Sequence, residues 1–159
     1  MQENPQRFLG FDRHERSGDM RLLRYALLIM VFVLSYWAGF YSYEGILWLG
    51  WKETLGGDKQ ALVFWTSIPY VIILVPLYLL ICYLLERKVK RKFVRFVSYP
   101  IFCASTFLLP TALILMLFGG GSLFSPETLL FNSFFASSGI IFGLGYGLTS
   151  LLCEPKNIE

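Results

Sequence analysis

The sequence predicts an all-α integral membrane protein, a four-helix transmembrane bundle with both termini in the cytoplasm. Three observations lead to this fold class. Of the 159 residues, 55% are hydrophobic and 16% are charged, whereas about 25% of the residues of a soluble domain are charged. Four apolar segments each contain the roughly 20 residues that a helix needs to cross the hydrocarbon core. Lys and Arg are concentrated before the first segment and between the second and third, and this asymmetry sets the orientation.

Four transmembrane helices are predicted in order along the chain. Apart from Arg24, near the start of the first, they contain no Asp, Glu, Lys or Arg. Residues 1–21 and 154–159 are predicted to be cytoplasmic tails, too short to form a core of their own. The predicted helices cover residues 22–43, 61–85, 96–119 and 129–153, so that the transmembrane domain is 22–153.

The positive-inside rule assigns a side of the membrane to each connection. The predicted external connection at 44–60 holds only Lys52 and Lys59, and the one at 119–128 holds no basic residue. We therefore expect a multi-pass protein of the inner membrane, with both tails and the 86–95 connection in the cytoplasm. The basic residues on that side are Arg7, Arg13, Arg16, Arg21 and Arg24 at the N-terminus, and Arg87, Lys88, Lys90, Arg91, Lys92 and Arg95 in the connection.

The sequence predicts no catalytic, cofactor or metal site. The single histidine, His14, lies in the N-terminal tail, and no pair of carboxylates falls within the predicted helices. Cys82, Cys103 and Cys153 match no zinc-binding spacing, and they are predicted to be small buried residues near the cytoplasmic ends of their helices. Because no nucleophile–base pair or set of metal ligands is present, we do not expect an enzyme.

The fourth predicted helix carries a row of glycines. Gly139, Gly143 and Gly147 recur every four residues, so they lie along one face of the helix. Small residues let two helix backbones approach closely, which favours association in lipid, and Asn132 can add a hydrogen bond to a neighbouring helix. This glycine face is predicted to receive either another helix of the same chain or a helix of a second copy. The spacing does not distinguish between the two.

Prolines interrupt the second and third predicted helices. Each removes a backbone hydrogen bond and tends to kink its helix. Two interpretations are open: hinges that move during function, or fixed curvature that shapes the bundle, and the second is the simpler. The residues concerned are Pro69, Pro76, Pro100 and Pro110.

The connection between the second and third helices is strongly basic. Its sequence, ERKVKRKFVR at 86–95, is expected to extend the second helix into the cytoplasm with Lys88, Arg91, Lys92 and Arg95 on one face. Three roles are open: a topology anchor, a site for anionic lipid headgroups, and a docking surface for an acidic cytosolic protein. Nucleic acid is not expected as a partner, because no base-reading or stacking residues accompany the charge.

Two functional hypotheses follow. The first is a non-catalytic membrane subunit, anchor or sensor of a larger complex, which self-associates or packs through its glycine face and docks partners through its basic face. Four spans with short tails are similar in layout to immunity proteins against pore-forming bacteriocins, so defence or immunity is one form of this hypothesis; the similarity is one of architecture. The second is a small oligomeric channel or carrier for a neutral or lipid-like solute.

Overall fold

The described part of the chain is almost entirely helical. The structure, a computed structural model, describes the backbone of residues 6–118 and 125–153, and the side chains of Met20 and residues 22–108, 125–126 and 128–153. It contains no β-strand in these ranges. A 3-10 turn at Gly56–Asp58 precedes the second helix, and a π-helical turn at Tyr70–Leu74 joins the second to the third. The α-helices are α1 (Gln6–Trp51), α2 (Lys59–Pro69), α3 (Val75–Lys88), α4 (Lys92–Phe118) and α5 (Pro126–Cys153).

Three helical segments in the described residues are long and apolar enough to cross a membrane. They are Leu22–Trp51, Gly56–Lys88 and Thr128–Cys153. The predicted class of the fold, an all-helical membrane protein, agrees with them. α4, with 27 residues, corresponds to the predicted third span. Its place in a bilayer and the orientation of the termini stay predictions.

α1 is much longer than the first predicted span. It runs without a break over 46 residues, whereas the sequence analysis places a tail before residue 22 and a connection after residue 43. Hydropathy marks where a helix leaves lipid, but a helix continues into water until a residue ends it, and no proline lies in this range. The helix ends where Lys52 takes the left-handed conformation, with φ of 58°, which is a common way to stop a helix. The predicted C-terminal tail at 154–159 lies outside the described residues.

The connection between α3 and α4 is a tight turn. The predicted helical extension along 86–95 is wrong, because α3 ends at Lys88 and Val89 is extended, with φ of −103° and ψ of 105°. Val89 packs against the apolar core, and its N–H donates to the Leu85 carbonyl at 2.8 Å. The chain reverses at this residue, and α4 begins at Lys92.

α5 lies between α1 and α4, and neighbouring helices alternate in direction. Along α1, Val31 faces Gly145 and Gly39 faces Phe134, so the residue numbers run in opposite senses. The same holds for α4, where Pro100 faces Gly143 and Ala104 faces Gly139. α3 runs against α4, with Cys82 Sγ 3.9 Å from Cys103 Sγ.

The glycine face of α5 is covered by α4 of the same chain. A Cβ atom on Gly139 would lie 2.6 Å from the backbone nitrogen of Ala104, and one on Gly147 would lie 2.8 Å from the ring of Phe96. A Cβ on Gly143 would overlap the backbone of Pro100. Of the two partners that the sequence left open for this face, the structure has the intrachain one.

α1 approaches the other side of α5 at two further glycines. A Cβ on Gly145 would lie 2.6 Å from a methyl group of Val31, and one on Gly39 would lie 2.9 Å from the carbonyl oxygen of Phe134. The sequence analysis assigned no contact to either residue, because they fall outside the four-residue repeat. Glycines on both sides therefore set the distance from α5 to its two neighbours.

Aromatic side chains fill the space between the helices. Phe142 of α5 is fully buried. Its ring stacks on Phe32 of α1 with centroids 5.5 Å apart, and it contacts Tyr78 of α3 at 5.0 Å. Large rings bury much apolar area per residue, so one residue of α5 connects two other helices.

We expect Gly143→Leu to destabilise the monomer. The added side chain meets the Pro100 backbone, which cannot rotate away, and overpacking of this kind costs about 1–3 kcal/mol. Thermal unfolding in detergent, followed by circular dichroism, should show a lower midpoint than for wild type. Leu148→Ile is the control, since Leu148 is 53% exposed. Equal midpoints for the two variants would mean that α4 does not sit on this face.

Candidate functional site

Buried hydroxyl groups join three helices near the middle of α5. Ser35 and Ser138 are fully buried, and the Ser35 hydroxyl donates to the Ser138 carbonyl at 2.6 Å. Tyr70 Oη donates to Ser35 Oγ at 2.8 Å, and the hydroxyls of Tyr78 and Ser138 lie 3.1 Å apart. In lipid each such bond replaces an unpaired polar group, so this network fixes the register of α1, the π-helical turn and α3 against α5.

The π-helical turn places Tyr70 at the start of this network. Val75 N–H donates to the Tyr70 carbonyl, five residues back, and Pro76 follows with no N–H to continue the α-helical pattern. The prolines at 69 and 76 thus bracket a wider turn in an otherwise continuous helix. Turns of this kind inside α-helices are frequent at functional sites.

The other two predicted hinge residues differ in their surroundings. Pro100 packs with its backbone against Gly143, so a change of angle there would separate α4 from α5. Pro110 lies within α4, and its side chain is outside the described residues. Among the described prolines, Pro69 and Pro76 are the two that flank the π-helical turn. A hinge that moves during function stays a prediction.

A cavity of about 380 Å³ lies beside this turn, between α1, α2 and α5. Its size falls within the roughly 300–1,000 Å³ typical of small-molecule sites. The polar groups Thr66 and Tyr70 in its wall are engaged within the chain, Thr66 with Leu62 O at 2.8 Å and Tyr70 with Ser35. The cavity wall is formed by Phe40, Tyr43, Leu62, Trp65, Thr66, Pro69, Tyr70, Leu74, Phe131, Phe134 and Phe135.

Apart from Pro69, a predicted hinge residue, the sequence analysis assigned no role to the residues of this cavity. They come from three separate helices, and apolar aromatic residues are ordinary in a membrane-spanning segment, so no local pattern marks them. A signal does exist in hindsight. Phe131, Phe134 and Phe135 place three large rings on α5 just before its small-residue stretch begins.

A carboxylate at the opposite end of the assembly joins α3, α4 and α5. Glu86 Oε1 accepts hydrogen bonds from Tyr146 at 3.1 Å and from Tyr99 at 3.4 Å. The two tyrosine rings pack edge to face with centroids 5.2 Å apart. The sequence analysis missed this group because the second predicted helix stops at residue 85. Its signal is the spacing to Cys82, one turn earlier on the same helix face.

The predicted docking residues cluster at this same end. Arg87, Lys88, Lys90 and Arg91, which we call the basic turn, are all exposed. The Arg87 guanidinium lies 4.7 Å from the centre of the Tyr83 ring, an attractive cation–π distance. Phe93, just beyond the turn, is 80% exposed. Lys92 and Arg95 lie in the first turn of α4.

Asn132, predicted to support helix packing, is an exception among the buried polar groups. Its Oδ1 atom is buried and has no hydrogen-bond partner in the described part of the chain. Among the described residues, no three or more His, Cys, Asp or Glu side chains lie close enough together to hold a metal ion.

The chain was compared with protein-family models, with curated proteins and with solved structures, and it matches none of them.

We expect Ser35→Ala to lower the stability of the protein, because it removes one hydroxyl group from the network. The substitution leaves Tyr70 Oη without its acceptor and the Ser138 carbonyl without its donor, at a cost of about 0.6–2 kcal/mol. Ser105→Ala is the control, because the Ser105 hydroxyl donates only to Ile101 of its own helix. Unfolding midpoints in detergent test this: a loss no larger than that of Ser105→Ala would show that the network adds no stability.

Proposed function

We propose that this protein is a non-catalytic, four-span inner-membrane protein that acts as a membrane subunit, anchor or sensor of a larger complex. The observation that carries this proposal is the basic turn. Four exposed cations sit at one end of the helical assembly, next to the exposed Phe93. A surface that combines cations with an exposed ring suits a partner of opposite charge.

The charge distribution supports an orientation with this end in the cytoplasm. The opposite end carries a close Glu44–Lys59 ion pair, with Nζ 2.8 Å from Oε2, and the exposed Trp48 and Trp51. Tryptophan favours the interface between lipid and water, while unpaired cations favour the cytoplasmic side. α4 supports the fourth span, since its 27 residues would measure about 40 Å.

The packing of α5 favours the basic turn over the glycine face as the place where a partner docks. Gly139, Gly143 and Gly147 are occupied by α4, so self-association would need another surface. Within the described part of the chain no helix covers the cations of the basic turn, which are exposed, and Arg87 lies over the Tyr83 ring. We propose an acidic cytosolic protein segment as the partner.

Replacing the four residues of the basic turn by Gln should weaken association. Exposed ion pairs contribute about 0.2–1 kcal/mol each, so the loss of four lowers affinity at least about fourfold. The measurement is the fraction of the chain that elutes in a high-mass complex after extraction in mild detergent. Raised salt should reduce that fraction for wild type and have little effect on the variant.

Two controls make this test specific. Replacing Lys88 and Lys90 by Arg keeps the charge and should keep the complex. A cysteine in place of Glu53 should react with an impermeant thiol reagent added to spheroplasts equally in both backgrounds, which shows that topology is unchanged. Unchanged association of the Gln variant, with topology intact, would reduce the basic turn to a topology anchor.

The cavity favours a second candidate function, a carrier for a lipid-like solute. Its wall is apolar and is formed by residues of all three candidate membrane spans. These spans are Leu22–Trp51, Gly56–Lys88 and Thr128–Cys153. A site in this position is reached from lipid. The π-helical turn in its wall is a deformable element, because its backbone bonds depart from the α-helical pattern.

A scrambling assay tests the carrier. Protein is reconstituted into vesicles that contain phosphatidylethanolamine with a fluorescent label on its headgroup, and dithionite bleaches the outer leaflet. A carrier should make clearly more than half of the label accessible, and Leu62→Trp, which fills the cavity, should return it to the protein-free level. Bleaching that stops at half with wild-type protein would exclude transport between leaflets.

A further inference from the structure

Two hydrogen-bond donors at the cavity have no partner among the residues that the structure describes. Tyr43 and Trp65 both line it. The Tyr43 ring packs edge-on against Phe131, with centroids 6.4 Å apart, and Trp65 is 71% exposed. Within the described part of the chain, neither the Tyr43 hydroxyl nor the Trp65 indole N–H makes a hydrogen bond. They differ in this from Thr66 and Tyr70, which are satisfied.

Of the two donors, Tyr43 lies at the end of the cavity and the apolar wall extends away from it. Tyr43 belongs to the last part of α1 and packs against Phe131 near the start of α5, whereas Trp65 is the seventh of the eleven residues of α2. Tyr70 and Leu74 lie further along the continuous helical segment formed by α2, the π-helical turn and α3, which we call the α2–α3 rod. Tyr70 reaches Ser35, which is about 12 Å along α1 from Tyr43. A ligand that fits has an apolar chain and a hydrogen-bond acceptor at one end.

The charges near this end indicate that the acceptor is neutral. Glu44 follows Tyr43 directly, and both of its carboxylate oxygens accept from Lys59 Nζ, at 2.9 and 2.8 Å. This pair neutralises itself, so it offers no surplus cation to a carboxylate or phosphate at the cavity. A carbonyl oxygen accepts a hydrogen bond without charge, and buried Tyr and Trp commonly donate to such groups at membrane interfaces.

We propose that the cavity binds one acyl chain of a glycerolipid, whose ester carbonyl accepts a hydrogen bond from Tyr43 Oη. The chain lies along Leu62, Pro69 and Leu74 towards Phe135. The inference deepens the second candidate function and rests on the same cavity, but it requires binding alone and no movement of the lipid between leaflets.

The wall explains why a chain is held here more firmly than lipid around the protein. The aromatic rings Phe40, Phe131, Phe134 and Phe135 surround the space from α1 and α5, while α2 closes it. An acyl chain inside contacts protein on several sides, whereas a chain on the outer surface contacts it on one. More contacts at van der Waals distance give a larger dispersion energy.

The test uses the full chain purified in detergent and native mass spectrometry with a defined lipid, palmitoyl-oleoyl phosphatidylethanolamine. Wild type should retain one lipid per chain as detergent is removed in the gas phase. Leu62→Trp fills the cavity and should retain at least about fivefold less. Leu80→Trp makes the same substitution at a residue that is 51% exposed, and it should retain lipid as wild type does. Equal retention by all three proteins overturns the proposal.

A second comparison keeps the test valid if Leu62→Trp fails to fold. Tyr43→Phe preserves the shape of the cavity and removes one donor, so the ester lipid should bind about 2- to 10-fold more weakly. The diether analogue lacks ester carbonyls and should bind wild type more weakly than the ester lipid does. Tyr43→Phe should then cause no further loss with the diether.

The outcomes separate this inference from the carrier function. A lipid that is retained by wild type but lost from Leu62→Trp, with no scrambling in vesicles, supports lipid binding and excludes the carrier function. Tyr43→Phe with unchanged affinity for the ester lipid, or an equal loss with ester and diether, overturns the assignment of the carbonyl to Tyr43.

Discussion

The close approach of α5 to the backbones of α1 and α4 is the constraint on which the rest of the structure depends. Gly139 and Gly143 let α4 touch α5 main chain to main chain, Gly39 brings α1 against the carbonyl oxygen of Phe134, and Gly145 makes room for the Val31 side chain. Inside a bilayer, apolar surface gains little by leaving lipid for protein, so dispersion contacts and hydrogen bonds must hold helices together. Both fall off steeply with distance. Glycine therefore stabilises this packing because it has no side chain to keep the neighbouring helix at a distance.

The hydrogen bonds between helices follow from that distance. A serine side chain is short, and the Ser35 hydroxyl reaches the Ser138 carbonyl at 2.6 Å because α1 has already come close at Gly39. Longer side chains make the contacts where no glycine brings the backbones together. Tyr70 and Tyr78 reach the network from the α2–α3 rod, and Tyr146 reaches Glu86 on α3. Short polar side chains thus make the contacts where two helices are close together, and long ones make the contacts where the helices are further apart.

The sequence predicted the parts of this arrangement that depend on local composition. The helical class and the segments Gly56–Lys88 and Thr128–Cys153 follow from apolar runs of sufficient length, and the glycine repeat predicted one tightly packed face of α5. It did not predict the ends of α1. Hydropathy indicates where a chain leaves the lipid, but the helical backbone of α1 continues beyond that boundary. The reversal at Val89 and the Glu86 cluster depend on which side chains meet across helices, and a single sequence carries only weak local signals of such pairs, such as the spacing of Glu86 from Cys82. The cavity was missed for the same reason.

The cavity and the tight packing have one physical origin. α2 contains no glycine, and its backbone makes few close approaches to α1 or α5. At its level α5 presents Phe134 and Phe135, whose rings hold the α2–α3 rod away from the main chain. Glycine and serine on α5 thus draw two helices in, and phenylalanine on the same helix keeps a third at a distance. Because α1 and α4 are already fixed against α5, they cannot shift to close the gap that results. The space beneath α2 is therefore a consequence of how the other helices pack, and a larger side chain at Leu62 would narrow it.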